Sequence, residues 1–394
     1  MPFLKYALPI LAAATFASAD CPTSDTVNIK STSDVSFSDC SSYKGKITLD
    51  KDFSGDLSFG NDLEEIDGDL LIEDNANIKR VDGPAIKKIS GTFSIKRTPE
   101  LAALSFPLLD EAKKLEMEGL PNLRNLNFDS EISSVDELSI ENTQLQDLKG
   151  INLNKTNSIR IIANGAIANI SMGIKNMTGA IEIKDNNADV TISFPNLEHA
   201  GNMSYRAVGN LSLPSLKEVS PGSFGIQNSK MGSFYASNFT DVKDALIIAN
   251  NTELADLHVP ALQKVGTSYR IESNDKLSEI NMPALEDVGA ALDISGKNLT
   301  SVKTEKLDHV KGVFNLQSEA SLGDSCKFYD DLNKKGDLGP KKQYTCKGDL
   351  NKASNAGAGT ASGSNGSDPS DSAAVPVQVQ TYLGLAGLFA VMFI

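Results

Sequence analysis

The sequence predicts an all-β solenoid, a parallel β-helix of about 13 coils with disulfide-capped ends, over residues 20–347. A proline-containing phrase recurs at nearly constant intervals, and a short alternating apolar segment follows each copy. The four cysteines lie in two pairs at opposite ends of this repeat. Because one coil alone cannot bury its apolar face, such coils must stack to share one core.

The repeat phrase is clearest in Leu257–Gly266 (LHVPALQKVG) and Ile280–Gly289 (INMPALEDVG), and shorter versions begin at Phe106, Phe194 and Leu213. A small residue, mostly glycine, follows each phrase and starts a new coil. These starts lie 21 to 23 residues apart, at Gly45, Gly68, Gly91, Lys113, Asp136, Asn157, Gly179, Gly201, Gly222, Asp244, Gly266, Gly289 and Gly312. The constant interval predicts one coil for each start.

The alternating segment after each start predicts a β-strand with one inward and one outward face. The inward positions include Leu70, Ile72, Phe93, Ile95, Leu115, Met117, Leu138, Ile140, Ile181, Ile183, Phe224 and Ile226. The outward positions form two mostly polar rows, one from Leu71 to Asn315 and one from Glu73 to Gln317. The strands therefore predict a long parallel sheet with a polar outer surface.

An asparagine commonly follows the strand, as at Asn75, Asn142, Asn164, Asn186, Asn228, Asn250 and Asn274. Asparagine tolerates left-handed backbone, and its amide can bond to the backbone of a turn. Stacked copies are therefore predicted to form a ladder that fixes the corner after each strand.

The four cysteines are Cys21, Cys40, Cys326 and Cys346. Spacings of about twenty residues in an oxidising compartment indicate two local disulfides, although four cysteines permit three pairings. The chain has no C-x-x-C spacing and no nearby pair of histidines, which disfavours a zinc site. Because the ends of a solenoid expose apolar interior and strand edges, the cysteine pairs are predicted to close two end caps.

The N-terminus has the order of a secretory signal. Lys5 precedes the apolar run 6–16, and Ala17-Ser18-Ala19 follows it. We expect residues 1–19 to be a signal peptide that is cleaved after Ala19. A buried amphipathic helix is the alternative.

The C-terminal part combines a segment rich in Ser, Gly, Ala and Asn, 348–374, with an apolar tail, 382–394. The segment cannot bury enough apolar surface to fold, and the tail is shorter than the roughly 20 residues that span a membrane. Together they predict a disordered linker and a GPI-anchor signal over 375–394, with attachment at Asn365 or Ser372. A tail-anchored helix is the alternative.

Nine N-x-S/T sequons occur, and a secretory route predicts that they carry N-linked glycans. Eight lie within the predicted solenoid, at Asn154, Asn169, Asn176, Asn202, Asn210, Asn238, Asn250 and Asn298. The ninth, Asn365, coincides with a candidate attachment residue. The formal net charge of −14 argues against nucleic acid or an anionic lipid surface as a partner.

The search for chemistry yields one like-charged cluster, Glu116, Glu118 and Glu141, in the outward rows. It could be a weak cation site or a carboxylate pair for glycoside hydrolysis, but a solvated acidic patch is the favoured interpretation. Elsewhere, opposite charges face each other, as with Arg160 and Glu182. No common catalytic signature occurs, and neither a metal nor a cofactor is predicted.

Three histidines, His199, His258 and His309, occupy positions expected to be solvated. The chain has no tryptophan and only 6% aromatic residues, so a lectin-like aromatic platform is not predicted. Two further predicted outward pairs join Glu73 to Lys96 and Arg270 to Asp293. These features favour a binding or structural protein over an enzyme.

The order of signal peptide, cysteine pair, F-P-x-L-x-x-V-x-G-x-L-x-I-x-x-N coils, second cysteine pair, linker and GPI signal resembles a fungal family over essentially the whole chain. It is similar to the GPI-anchored cell-wall organisation proteins of the extracellular-mutant and sporulation-specific type. Their repeats are similar to the leucine-rich-repeat-like L domains of growth-factor receptors. Residues 157–177 depart from the phrase, which predicts a less regular solenoid there.

The resemblance implies a protein on the outer leaflet of the plasma membrane, held by GPI lipid and partly transferred to cell-wall glucan. It implies support for wall integrity, morphogenesis and the organisation of surface mannoproteins. The family supplies no enzymatic residues, so only the cysteines, sequons and anchor triplet are carried over. A glycan-active solenoid enzyme and a receptor-like ligand-binding module remain the alternatives.

Overall fold

A computed structural model describes residues 21–34, 37 and 39–356. The prediction of an all-β parallel solenoid is confirmed, because successive coils stack in parallel register around one apolar core. The signal peptide with its cleavage after Ala19, both candidate attachment residues and the apolar tail lie outside the described residues.

One side of the solenoid, called the long face below, is a continuous ladder of parallel strands, one from each predicted coil and one from each cap. The strands are Thr26–Ile29, Lys46–Leu49, Leu70–Glu73, Lys88–Lys96, Glu111–Leu120, Glu137–Thr143, Ser158–Ile162, Ile181–Lys184, Met203–Arg206, Phe224–Gln227, Leu246–Ala249, Ser268–Glu272, Ala291–Gly296, Phe314–Ser318 and Tyr344–Lys347. Neighbours pair in register, with Ile181 opposite both Ile159 and Met203. Every predicted inward residue is buried, which confirms the period-2 prediction.

Two further sides consist of shorter strands, so each regular coil has three sides. The second face has Gly55–Ser58, Ile78–Asp82, Ala103–Ser105, Leu126–Asn127, Asn169–Ser171, Thr191–Ser193, Asn210–Ser212, Ser233–Tyr235, Asp256–His258, Glu279–Asn281 and Ser301–Lys303. The third face has Ser42–Lys44, Glu65–Asp67, Ile132–Ser134, Ile151–Lys155, His199–Ala200, Glu218–Val219, Asp241–Val242, Lys264–Val265, Asp287–Val288 and His309–Val310. The strands Lys88–Lys96 and Glu111–Leu120 bend from the third face into the long face.

The repeat phrase forms the turn between the second and third faces. In the copy that begins at Phe194, the N–H of Leu197 donates to the carbonyl of Phe194 at 3.3 Å. Pro195 occupies the second turn position, where its fixed φ suits the turn. Both Phe194 and Leu197 are fully buried. The phrase therefore recurs because this turn places two core side chains on either side of a position that proline suits.

The corner after the long-face strand has two distinct positions rather than one, and in most coils a polar residue occupies each of them. The first has left-handed backbone, as at Asn142, Asn228 and Asn250 (φ 53°, 50° and 58°), and these side chains are exposed. The second is buried and is occupied by Asn75, Thr98, Thr143, Asn164, Asn186, Ser229, Asn251 and Asn274. Asn142, Asn228 and Asn250 were predicted as ladder residues, and this is wrong, because the ladder lies one residue later in the chain.

The buried position does form hydrogen bonds from coil to coil. The N–H of Asn164 donates to Oδ1 of Asn186 at 3.0 Å, and the N–H of Asn251 donates to Oδ1 of Asn274 at 3.0 Å. The amide of Asn274 also donates to the carbonyl of Ile248 at 2.9 Å. These bonds satisfy backbone groups inside the turn that would otherwise be buried without a partner.

Two local disulfides close the ends, as predicted: Cys21–Cys40 and Cys326–Cys346. The N-terminal cap, which also contains the 3-10 helix Thr32–Asp34, adds the strand Thr26–Ile29 to the long face. Paired to Lys46–Leu49, this strand covers the edge of the first coil.

The C-terminal cap contains an α-helix, Ser325–Lys335, that the repeat analysis did not predict. Its Tyr329 is 1% exposed, and the ring centroid lies 4.9 Å from that of Phe314 in the last coil. The disulfide joins this helix to the final strand, which follows the 3-10 helix Lys341–Gln343. The helix is therefore fastened over the apolar end of the solenoid.

The departure from the phrase over 157–177 leaves the long face intact, because Ser158–Ile162 pairs in register with Ile181–Lys184. The second face is interrupted one coil earlier, between Leu126–Asn127 and Asn169–Ser171. Near the irregular phrase, the ladder of the long face continues while that of the second face is interrupted.

Candidate functional site

The outward side chains of the long face form the two predicted rows. The first runs from Leu71 to Asn315 and the second from Glu73 to Gln317, with neighbours directly opposite on adjacent strands. Ion pairs are concentrated in the N-terminal part of this face. Over its last coils, the face packs against the chain that follows the C-terminal cap.

The three glutamates predicted as an acidic cluster are separated by cations. Oε2 of Glu116 lies 2.7 Å from Nζ of Lys96, and Oε1 of Glu141 lies 2.7 Å from Nε of Arg160. Glu118 is exposed. The like-charged interpretation therefore fails for two of the three, because oppositely charged neighbours in the rows bind them first.

The pKa of Glu141 also disfavours an acid role in glycoside chemistry. Burial by itself raises this pKa, but hydrogen bonds from Arg160 and Ser139 outweigh burial and leave it below the ordinary value. A general acid needs the opposite shift. Among the described residues, no group of three or more His, Cys, Asp or Glu side chains could hold a metal ion.

The three predicted outward ion pairs have different outcomes. Glu73 lies opposite Lys96, but Nζ of Lys96 pairs with Glu116. Glu73 instead accepts a hydrogen bond from the hydroxyl of Ser94.

Arg160 pairs with Glu182 as predicted. Arg270 does not pair with Asp293, because its Nη2 lies 2.5 Å from Oε1 of Glu272 on its own strand. The carboxylate of Asp293 is thereby left to other partners.

Those partners come from the chain beyond the C-terminal cap. The N–H of Ala356 donates to both carboxylate oxygens of Asp293, at 3.1 and 3.0 Å. The N–H of Ser354 donates to Oε1 of Gln317 at 3.1 Å, and its carbonyl accepts from Nδ2 of Asn315 at 3.0 Å. The long face therefore holds a short piece of main chain through side chains of two adjacent strands.

Two further contacts hold the same stretch of chain, one at Asp349 and one at Asn355. The N–H of Asp349 donates to the carbonyl of Ala320 at 3.1 Å, and Nδ2 of Asn355 donates to Oε2 of Glu272 at 2.5 Å. Part of the segment predicted as a disordered linker thus contacts the solenoid. The sequence offers no local signal for this, since the partners are 63 residues apart at Asp293.

Asp293 is only 7% exposed although it points outward. Burial raises its pKa above the ordinary value, and the hydrogen bonds from Asn315 and Ala356 offset only part of that effect. A carboxylate in such surroundings depends on its hydrogen-bond donors.

The second face carries an exposed aromatic patch that the sequence analysis did not predict. Tyr235 is 53% exposed, and its ring centroid lies 5.9 Å from that of His258 in the next coil. The two rings border a depression of about 310 Å³ that is also lined by Asp256, Glu279 and Asn281. An aromatic face beside several hydrogen-bonding groups is a surface that can bind a sugar ring.

The predicted sequons lie mainly on accessible surface. The side chains of Asn154, Asn169, Asn176, Asn210, Asn238, Asn250 and Asn298 are exposed, whereas Asn202 is half-buried. Oδ1 of Asn202 accepts from the N–H of Ser223 at 2.7 Å. The histidines His199, His258 and His309 are all exposed, as expected.

Comparison with known proteins gives a consistent result. A family model described as "Ecm33: GPI-anchored cell wall organization protein" matches residues 1–36. "Protein ecm33" of Aspergillus fumigatus is 39% identical over 351 residues, which cover 88% of this chain and 86% of that protein. The chain belongs to the Ecm33 family. The resemblance stated from the repeat and the ends is thereby confirmed.

Other relatives in the Ecm33 family are more distant. The "Cell surface GPI-anchored protein" of Arthroderma benhamiae is 31% identical over 82% of this chain and 83% of its own length. "Sporulation-specific protein 2" of Saccharomyces cerevisiae is 26% identical over 58% of this chain and 50% of its own length. No solved structure matches the chain significantly. No helix in the described part is long and apolar enough to cross a membrane.

Proposed function

We propose that this protein is a non-enzymatic, GPI-anchored glycoprotein of the fungal cell surface that supports cell-wall organisation, integrity and morphogenesis. The observation that carries the proposal is the 39% identity to an Ecm33 protein across 88% of the chain. The capped solenoid is consistent with it, because a stack of coils with polar outward side chains suits a structural or binding role.

The proposal includes the processing of both ends and the surface. Cleavage follows Ala19, and the lipid is attached at Asn365 or Ser372. Glycans are carried at the eight solenoid sequons, seven of which have exposed side chains. Residence on the outer leaflet of the plasma membrane and in the wall then follows from the lipid.

Replacing Glu116, Glu118 and Glu141 together with glutamine is expected to leave the cellular function intact. A hydrolase that used these carboxylates would lose its activity, whereas a structural protein loses only partly exposed ion pairs that contribute about 0.2–1 kcal/mol each. The measurement is complementation of a deletion strain grown with a wall-perturbing agent, at matched surface levels of the two proteins. A null phenotype from a correctly folded triple variant would favour the enzyme alternative.

For a partner, we propose wall glucan bound at the Tyr235 patch. Pyranose rings stack their C–H faces on aromatic side chains, and the acidic and amide groups around the depression can bond to hydroxyls. Among the described phenylalanine and tyrosine residues, Tyr235 and Phe328 have more than a third of their surface exposed.

Tyr235→Ala is expected to weaken binding to insoluble wall glucan by about tenfold, the loss typical of a truncated aromatic anchor. Tyr235→Phe retains the ring and should bind like the wild type. Phe328→Ala removes an exposed aromatic of the C-terminal cap and should also have no effect. A co-sedimentation isotherm measures the affinity, and equal binding by Tyr235→Ala and wild type would exclude this patch.

A further inference from the structure

The contacts between Ser354, Ala356 and the long face are made largely by main-chain groups of the segment. Two N–H groups and one carbonyl of the segment bond to Asp293, Asn315 and Gln317. A site that recognises the main chain of a peptide binds small, polar residues well. No bulky side chain of the peptide then keeps its main chain away from the site. The segment Ser354-Asn355-Ala356 has that composition.

The solenoid side of this contact is organised by its own hydrogen bonds. Nδ2 of Asn315 donates to Oδ1 of Asp293 at 2.8 Å, and Nε2 of Gln317 donates to Oδ1 of Asn315 at 2.9 Å. With the segment in place, Asp293 and Asn315 are 7% and 3% exposed. These hydrogen bonds join solenoid side chains to one another, so they orient the acceptors and donors without help from the segment. Such an arrangement is expected for a binding site rather than for a solvated surface.

We propose that Glu272, Asp293, Asn315 and Gln317 form a peptide-binding site that captures the chain's own residues Ser354–Ala356. Because the segment is tethered directly to the cap, its effective concentration at the site is high, and a few hydrogen bonds suffice to keep it bound. The site directs the chain onto the side of the solenoid instead of straight off its end.

The consequence for anchoring rests on the proposed function, whereas the site itself does not. With attachment at Asn365, nine residues follow Ala356 (365 − 356) and span at most about 30 Å. Without capture of Ser354–Ala356, the free chain would begin after Leu350, whose N–H donates to the carbonyl of Ser318, and its 15 residues (365 − 350) would reach about 50 Å. Capture therefore holds the solenoid closer to its lipid.

The test uses full-length mature protein extracted from membranes in detergent, so that it does not depend on the nature of the anchor. Ala356→Pro removes the N–H that Asp293 accepts, and it changes no residue of the solenoid. Ala356→Ser retains that N–H and serves as the matched control. Carbodiimide-coupled labelling, read by peptide mass spectrometry, reports the accessibility of the Asp293 carboxylate.

We expect labelling of Asp293 to rise about tenfold in Ala356→Pro. Loss of one hydrogen bond to a charged group shifts the equilibrium between the captured and the free segment by about that factor. It should remain at the wild-type level in Ala356→Ser. Labelling of Asp287, which lies on the third face just before the coil that contains Asp293, should be equal in all three proteins. Equal Asp293 labelling in the proline and serine variants would overturn the proposal.

Hydrogen exchange gives a reciprocal measurement from the side of the segment. In wild-type protein, the amides of Ser354 and Ala356 should exchange at least about tenfold more slowly than an unstructured peptide. Asp293→Ala should abolish the protection of Ala356 while the strand Ala291–Gly296 remains protected. Exchange at the unstructured rate in the wild type would refute capture, whereas absence of a GPI lipid would refute only the proposed function.

Discussion

Asn164→Ala is expected to be among the most destabilising single substitutions in this chain. Oδ1 of Asn164 accepts from both the N–H and the hydroxyl of Thr143, at 3.0 and 2.7 Å, and its Nδ2 donates to the carbonyl of Ile140 at 2.9 Å. Alanine would leave these buried groups without partners, at about 1–3 kcal/mol each, so the expected loss is about 4 kcal/mol.

The matched control is Asn228→Gly, at the corner position one residue earlier in its coil. Asn228 is exposed with φ 50°, a conformation that glycine adopts without strain, so the expected change is within about 0.5 kcal/mol. Urea unfolding compares the midpoints. Hydrogen exchange across the coils around Asn164 shows whether the loss is local, since repeat arrays can unfold in parts. Similar losses for Asn164→Ala and Asn228→Gly would contradict the assignment of the ladder.

The difference between these two asparagines explains why the corner could be predicted only in part. The sequence shows asparagines near the end of many strands, and Asn250 and Asn251 even occur side by side. Left-handed backbone and coil-to-coil hydrogen bonding favour the same residue type for different reasons. Composition alone cannot separate the two positions, whereas burial does so at once.

The strand rows were predictable because period-2 alternation is a local property. The capture of Ala356 by Asp293 was not, because it joins an outward strand residue to a segment with no periodicity. The cap helix Ser325–Lys335 was missed for a related reason. Its 11 residues follow the last repeat, so the 21- to 23-residue period gives no signal for them, and its apolar stripe of Phe328, Tyr329 and Leu332 is short.

The glycines that start the coils have a reason that the repeat alone does not reveal. Gly289 follows the third-face strand Asp287–Val288 and has no left-handed backbone. A Cβ built on Gly289 would overlap the carbonyl oxygen of Gly266, and one on Gly266 would overlap that of Lys243. Consecutive coils therefore approach so closely at this turn that backbone lies against backbone.

Gly289→Ala is accordingly expected to cost about 3 kcal/mol or more, at the upper end of overpacking effects, because the obstructing atom belongs to the backbone and cannot rotate away. Gly165→Ala is the matched control, since a Cβ there meets nothing within 4 Å. Because alanine lowers the conformational entropy of the unfolded chain, the free energy of unfolding of that variant should be unchanged or higher by up to about 1 kcal/mol. Thermal and urea unfolding of the two variants decide the matter. A Gly289→Ala protein as stable as Gly165→Ala would mean that the coils can separate at this turn without loss, and that close stacking there does not require glycine.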